Sequence, residues 1–264
     1  MRIKKLTELE QYYNKFNEEK RLDSRHGQVE FLTSMEYIHR YLNRLGAKEN
    51  VKIIDIGAGT GRYSIPLANE GYDVTAVELV RHNLGRLKAK GSSVKARQGN
   101  ALNLSKFSDG QFDLALLFGP LYHLFTFEDK RKALAEAKRV TKTGGAIFAA
   151  YCMNEYAVLT YAFRENNLAR CKKEGRLTGD FHCISREEDL YDYVRLEDIK
   201  RLSDELGLKR EKIISADGPA NYMRQTLRKM DNETFESFLA YHLATCERPE
   251  LLGAGAHTVD ILIK

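Results

Sequence analysis

Ten residues carry the chemistry that the rest of the chain has to position. The segment Ile53-Ile54-Asp55-Ile56-Gly57-Ala58-Gly59-Thr60-Gly61-Arg62 begins as an apolar run, ends in three glycines at alternate positions and leads into a helix-like stretch. Glycine removes the side chains that would stop the main chain from turning tightly and a ligand from approaching it. The helix start beyond the turn then offers unpaired N–H groups to oxygen atoms. Such a strand–turn–helix suits a small, charged, adenosine-bearing ligand. The glycine spacing separates the candidates. A dinucleotide fingerprint places its third glycine three positions after the second, whereas Gly61 follows Gly59 by two.

A second group of residues extends the site. Asp73-Val74-Thr75-Ala76-Val77-Glu78 reads as a strand with an acid at its carboxyl end. Glu78 falls at roughly the separation from the glycines that places an acid on ribose hydroxyls, and a carboxylate accepts from both hydroxyls at once. Val94 to Ala101 reads as a third strand and its exit, with Asn100 offering an amide oxygen to an amine. The fourth strand, 112–118, runs directly into Gly119-Pro120-Leu121-Tyr122-His123. Gly-Pro forces a turn there and aims the next side chains out of the sheet end. Tyr122 is a candidate pocket wall and His123 a candidate general base; a structural histidine bonded to backbone is the alternative for His123.

The Asp55-x-Gly57-x-Gly59-x-Gly61 pattern resembles motif I of the class I S-adenosylmethionine-dependent methyltransferases, and residues 50–151 follow that family's order and spacing. The resemblance implies a Rossmann-like α/β fold: a seven-stranded, mostly parallel sheet, helices on both faces and a final antiparallel hairpin. It implies S-adenosyl-L-methionine as cofactor and S-adenosyl-L-homocysteine as product. On the same resemblance the cofactor contacts are Asp55, Gly57, Ala58, Gly59, Gly61, Glu78, Leu79, Asn100, Ala101 and Phe118. Family members also use N-terminal helices as a cover, which makes Arg25 and His26 candidates for the methionine carboxylate. Two departures stand out. Asn100 replaces the acid often found before the alanine. Gly119-Pro120-Leu121-Tyr122 lacks the polar residue and the second proline that base-directed amino-methyltransferases carry in this loop, although the aromatic remains.

These elements sit in a chain of 264 residues with 30% charged and 43% apolar residues, the balance of a globular protein able to bury a core without covalent staples. No apolar stretch reaches the ~20 residues of a membrane span, and Met1-Arg2-Ile3-Lys4-Lys5 lacks the apolar centre of a signal peptide; a cytoplasmic protein without membrane contact is the expectation. The four cysteines form no C-x-x-C pair and no zinc spacing, so no metal is expected. His182-Cys183 does not read as a nucleophilic pair, because neighbours on an extended chain point apart. The net charge of +5 is spread along presumptive helix faces. It is not concentrated with interleaved aromatics as in a nucleic-acid footprint.

The organisation follows from periodicity. Residues 1–46 read as an N-terminal helical cover, with Gly27 separating two helices and Gly46 as a C-cap. Residues 47–151 alternate strand and helix (51–56, 62–70, 73–78, 81–90, 94–98, 112–118, 128–140, 145–151), which predicts parallel strands with right-handed crossovers. Residues 152–194 exceed the pattern, are rich in tyrosine and phenylalanine, and read as a lid-like insertion over the strand ends or as a satellite core. The acids 187–189 and Asp192 within it read as solvated. Residues 195–264 complete the sheet, with a helix over 196–206, strands over 208–216 and 258–263, and Asp231 as a helix cap.

The resulting expectation is methyl transfer to a nitrogen or oxygen of a small molecule. The alternatives are an RNA or protein acceptor, with nucleic acid not favoured, and a non-catalytic protein that binds S-adenosylmethionine.

Overall fold

The computed structural model describes Tyr12 and residues 24–264. The expected helix over 1–26 lies outside the described residues apart from Tyr12 and its last three positions. Helix α1 (Arg25–Leu42) is capped by Ser24, whose Oγ accepts from the N–H of Gly27. Gly27 therefore lies in the first turn of one helix and separates nothing. The expected cap at Gly46 also shifts: the helix closes at Leu42, with Asn43 N–H donating back to His39 and Tyr41.

Seven strands form one sheet: β1 (Lys52–Ile56), β2 (Asp73–Glu78), β3 (Lys95–Gln98), β4 (Phe112–Leu117), β5 (Thr141–Cys152), β6 (Lys209–Ser215) and β7 (His257–Ile263). Their order is β3-β2-β1-β4-β5-β7-β6. β1 to β5 pair in parallel, and β7 runs antiparallel to both β5 and β6. The intervening helices are α2 (Ser64–Asn69), α3 (Arg81–Ala89), α4 (Phe127–Val140) and, before β6, α7 (Leu196–Glu205). The expected helix over 62–70 starts two residues late because the glycine turn runs on to Tyr63, and Pro66 sits harmlessly in its first turn. β5 starts four residues earlier than expected, at Thr141, across a bulge opposite β4.

The strand pleat divides the core in two. Ile53, Leu114, Leu116 and Phe148 face Ile38 and Tyr41 of α1 and Leu67 of α2. Ile54, Ala115, Leu117 and Ile147 face Leu134 and Ala137 of α4 and Leu202 of α7. Central strands buried on both faces read as continuous apolar runs, which is why 53–56 and 114–117 carry so few polar residues.

Between β5 and α7 the chain forms helix α5 (Asn154–Ala157), a π-helical turn (Val158–Arg164) and helix α6 (Leu168–Lys173). Met153 pairs with Val194 in a parallel bridge, so this segment leaves and rejoins the sheet at one place. Two further helices, α8 (Arg224–Lys229) and α9 (Asn232–Thr245), lie between β6 and β7. Asp231 caps α9 by accepting from the N–H of Thr234, as its position predicts.

A buried carboxylate is paired across the β6 edge of the sheet. Asp260 of β7 is fully buried and accepts from Nε and Nη2 of Arg210 on β6, at 2.6 and 2.8 Å. Arg210→Met would leave that carboxylate buried alone. It should lower the unfolding free energy by about 3 kcal/mol, the low end for a broken buried pair because Arg210 keeps some solvent contact. Urea unfolding at neutral pH measures this, and a variant as stable as the parent contradicts it.

Candidate functional site

The glycine turn between β1 and α2 meets the β4 exit loop in direct contact. A Cβ on Gly57 would stand 2.6 Å from Cδ of Pro120, and Gly57 has φ of +79°. Only glycine fits that backbone and that approach together. Gly59 and Gly61 also have positive φ. The apolar β1 run thus ends in a bare main-chain bend beside the tip of β4.

Glu78 fixes this bend. Its Oε2 accepts from the N–H of Gly59 and its Oε1 from the N–H of Val80, both at 2.7 Å. The carboxylate is buried, yet it lines a cavity of about 150 Å³ together with Gly57, Gly59 and Leu79. Asn100 and Ala101, after β3, form another wall; the Asn100 Oδ1 caps its own turn by accepting from the N–H of Leu102. Phe118, Tyr122 and His123, after β4, complete the enclosure.

Four predicted residues lie elsewhere. Asp55 is buried under the turn, where its Oδ2 accepts from the Ser64 hydroxyl. Burial pushes its carboxyl up to about 7 against the pull of the Ser64 hydrogen bond. Ala58 packs on Ala76 and Leu87. Gly61 faces Ile65 and Leu87. Arg25 donates to the Asp231 carbonyl and the Asn232 amide oxygen, and its guanidinium stacks 4.7 Å above the Phe235 ring. It supports the start of α9 and does not line the cavity.

The β4 exit loop is tied to the insertion. Pro120–His123 forms a 3₁₀ turn entered through Gly119, with φ of +139°. His123 Nδ1 donates to the Leu190 carbonyl at 2.7 Å, which leaves the lone pair of the neutral ring on Nε2. The Tyr122 carbonyl accepts from the N–H of Asp192. The Tyr191 ring packs edge-on to Tyr122 at 5.7 Å and tilted on His123 at 5.3 Å. Asp192 is no solvated acid: it pairs with the buried ammonium of Lys130 at 2.5 Å. Asp189 likewise holds Arg176 through two hydrogen bonds. In the set-aside His182-Cys183 pair, burial pushes the Cys183 thiol up to about 12, and His182 Nε2 faces Asp198.

Sequence reasoning missed a buried cluster beside Tyr122. His257 opens β7, its ring 6.5 Å from that of Tyr122. Its Nδ1 donates to Asp217 Oδ2 at 2.7 Å, and a Glu30 carboxylate oxygen lies 3.5 Å away. Asp217 also accepts from the N–H groups of Ala256 and His257 and from the Asn221 amide. Burial would lower the His257 pKa, but the Glu30 and Asp217 carboxylates outweigh it and hold the ring well above its ordinary value. These three side chains come from α1, the β6 exit and β7, so no local spacing announced them. Val80, Asn83 and Leu102 line the first cavity and were also missed, although they lie within four positions of predicted residues.

Comparison with known proteins is consistent with this geometry. The sheet order and the glycine turn define a Rossmann-like methyltransferase fold. Over 97% of this chain and 98% of the other, it matches an S-adenosylmethionine-dependent methyltransferase structure from Thermotoga maritima, with a TM-score of 0.56 and 19% identity. Residues 54–149 match the family model described as a methyltransferase domain. The chain is 30% identical to a demethylmenaquinone methyltransferase of Beutenbergia cavernae, over 63% of this chain and 65% of that protein. It is 31% identical to a glycine/sarcosine N-methyltransferase of Parasynechococcus marenigrum, over 42% of this chain and 40% of that protein. The chain thus spans less than two thirds of the length of these curated relatives. Residues 54–149 thus carry a methyltransferase domain, set in a fold shared with S-adenosylmethionine-dependent methyltransferases. Among the described residues, no helix is long and apolar enough to cross a membrane.

The perturbed Asp55 makes a stability prediction. Folded Asp55 keeps its proton up to about pH 7, whereas an unfolded aspartate releases it near pH ~4. The folded state binds the extra proton across that window, so its stabilising share is complete at the acid end and is lost as pH rises to 7. Asp55→Asn removes the titration. The variant-minus-parent difference in unfolding free energy should therefore grow in the variant's favour by about 4 kcal/mol across the window. A difference that stays flat with pH rules this assignment out.

Proposed function

We propose that this chain transfers the methyl group of S-adenosylmethionine to a nitrogen or oxygen of a small molecule. One observation carries the reading: Tyr122 and His123 line the same cavity as the glycine turn and Glu78. A nucleoside-holding acid and a candidate base thus face one space.

The donor supplies a methyl group already activated by a sulfonium charge. The protein's contribution is alignment, which can remove ~7–11 kcal/mol of barrier. Glu78 suits the ribose, because two amide donors leave its oxygens with acceptor capacity for hydroxyl groups. The Asn100 side chain stands at the adenine end, by the same resemblance that brought it to attention. Tyr122 walls the acceptor. An acceptor hydroxyl or ammonium must lose a proton, and Nε2 of His123 is the ring atom that takes it. The curated relatives support a small acceptor, since their names specify demethylmenaquinone, glycine and sarcosine. The loop Gly119-Pro120-Leu121-Tyr122 also supports it, lacking the polar residue of base-directed enzymes.

Two variants test the reading. Glu78→Ala should weaken S-adenosylhomocysteine binding in calorimetry by ~1–3 kcal/mol; unaltered affinity removes the ribose assignment. His123→Gln should leave that affinity in place and lower kcat by about 10²–10⁴. Turnover is read as S-adenosylhomocysteine release in a screen of amines, phenols and carboxylates. Binding without release from any acceptor would favour a non-catalytic role.

A further inference from the structure

The insertion between β5 and α7 encloses a second cavity of about 330 Å³, more than twice the volume of the one at the glycine turn. That size lies within the range of small-molecule sites. Its walls are dominated by Tyr156, Tyr161, Tyr191 and Tyr193 with Val158 and Leu177.

Three features define what it accepts. First, its charged lining residues cancel in pairs. Arg170 binds Glu174 at 2.9 Å, and Arg176 binds Asp189 through two hydrogen bonds at 2.6 and 2.8 Å. No cation or carboxylate of the lining is left to neutralise a charged ligand, and an unpaired charge is costly to bring into such a space. Second, Tyr161 and Ile184 line the cavity and are also exposed, so its mouth offers apolar surface beside the self-paired Arg170 and Glu174. Leu159, Phe163 and Phe181 of the same insertion are exposed as well, and the Phe163 and Phe181 rings lie 6.2 Å apart. Third, one wall follows a π-helical turn, a rare conformation frequently found at functional sites.

The cavity also abuts the methyl-transfer loop. Tyr191 lines it on one side and packs against the rings of Tyr122 and His123 on the other. The Tyr191 segment is held there through Leu190 and Asp192. Tyr191 therefore stands between the second cavity and the Tyr122 and His123 rings that line the first.

We propose that this second cavity is the acceptor site and that it takes a neutral, flat, largely apolar aromatic alcohol. The inference rests on the methyltransferase reading above and narrows its acceptor to oxygen. The ring lies among the tyrosines, with its hydroxyl directed past Tyr191 toward His123. The hydroxyl oxygen bonds to the methyl carbon as the carbon–sulfur bond breaks. The electron pair stays on sulfur, which becomes a neutral sulfide, and the hydroxyl proton goes to Nε2 of His123.

The test uses 1-naphthol as the neutral probe, with 1-naphthoate and phenethylammonium as charged counterparts of similar size. Calorimetry on the full chain, with and without S-adenosylhomocysteine, should show 1-naphthol binding at least about tenfold tighter than either. Ser185→Trp fills the cavity from its lining, and Ile184→Glu puts a charge at the exposed mouth. Each should weaken 1-naphthol by about tenfold or more while leaving S-adenosylhomocysteine affinity within about twofold. Thermal unfolding checks that both variants fold. Equal or tighter binding of a charged probe, no binding of 1-naphthol, or indifference to both variants overturns the proposal. S-adenosylhomocysteine binding is read separately: if it is intact while 1-naphthol fails, this inference falls alone. If it is absent while 1-naphthol binds the cavity, the methyltransferase reading falls.

Discussion

Every part of the site depends on where one buried carboxylate sits. Glu78 receives the N–H of Gly59 on one oxygen and that of Val80 on the other. A single side chain thus joins the turn after β1, the end of β2 and the start of α3. Two amide donors use only part of what a carboxylate can accept. The same group therefore clamps the loop through both of its oxygens. Asp55 supports the turn from below, its carboxyl pushed up to about 7 by burial.

The second dependence is between loops. The β1 turn and the β4 exit touch where Gly57 meets Pro120, and the β4 exit is in turn bonded to residues 190–192 of the insertion. The glycine turn, the β4 exit loop and the insertion are therefore in mechanical series. Lys130 of α4 anchors the chain of contacts through its pair with Asp192, buried away from the screening that weakens surface pairs. The acid that looked solvated in the sequence is a tie between the core and the insertion.

What was legible follows from how local each signal is. The five parallel strands and the glycine turn were readable because apolar runs, crossover spacing and alternate glycines are all short-range patterns. Helix ends were less readable. Gly27 and Gly46 look like punctuation, yet the Ser24 side chain caps the start of α1 and the Asn43 backbone N–H closes its end. Most of the cavity lining could be named because it follows strand ends directly. Arg25 could not be placed, because its partners at 231–235 are more than 200 residues away. The Glu30–Asp217–His257 cluster was invisible for the same reason: three elements meet there only after the sheet has closed.

The sheet order has a consequence for synthesis. β7 lies between β5 and β6, and among the described residues it is the only strand that β6 touches. Because β6 is translated first, it must wait with both edges bare until residues 257–263 clear the ribosome. His257 opens that late strand, so the charged cluster beside Tyr122 is also assembled late. A nascent chain stalled in this interval presents an unpaired edge to its neighbours, the condition under which strands join the wrong partner.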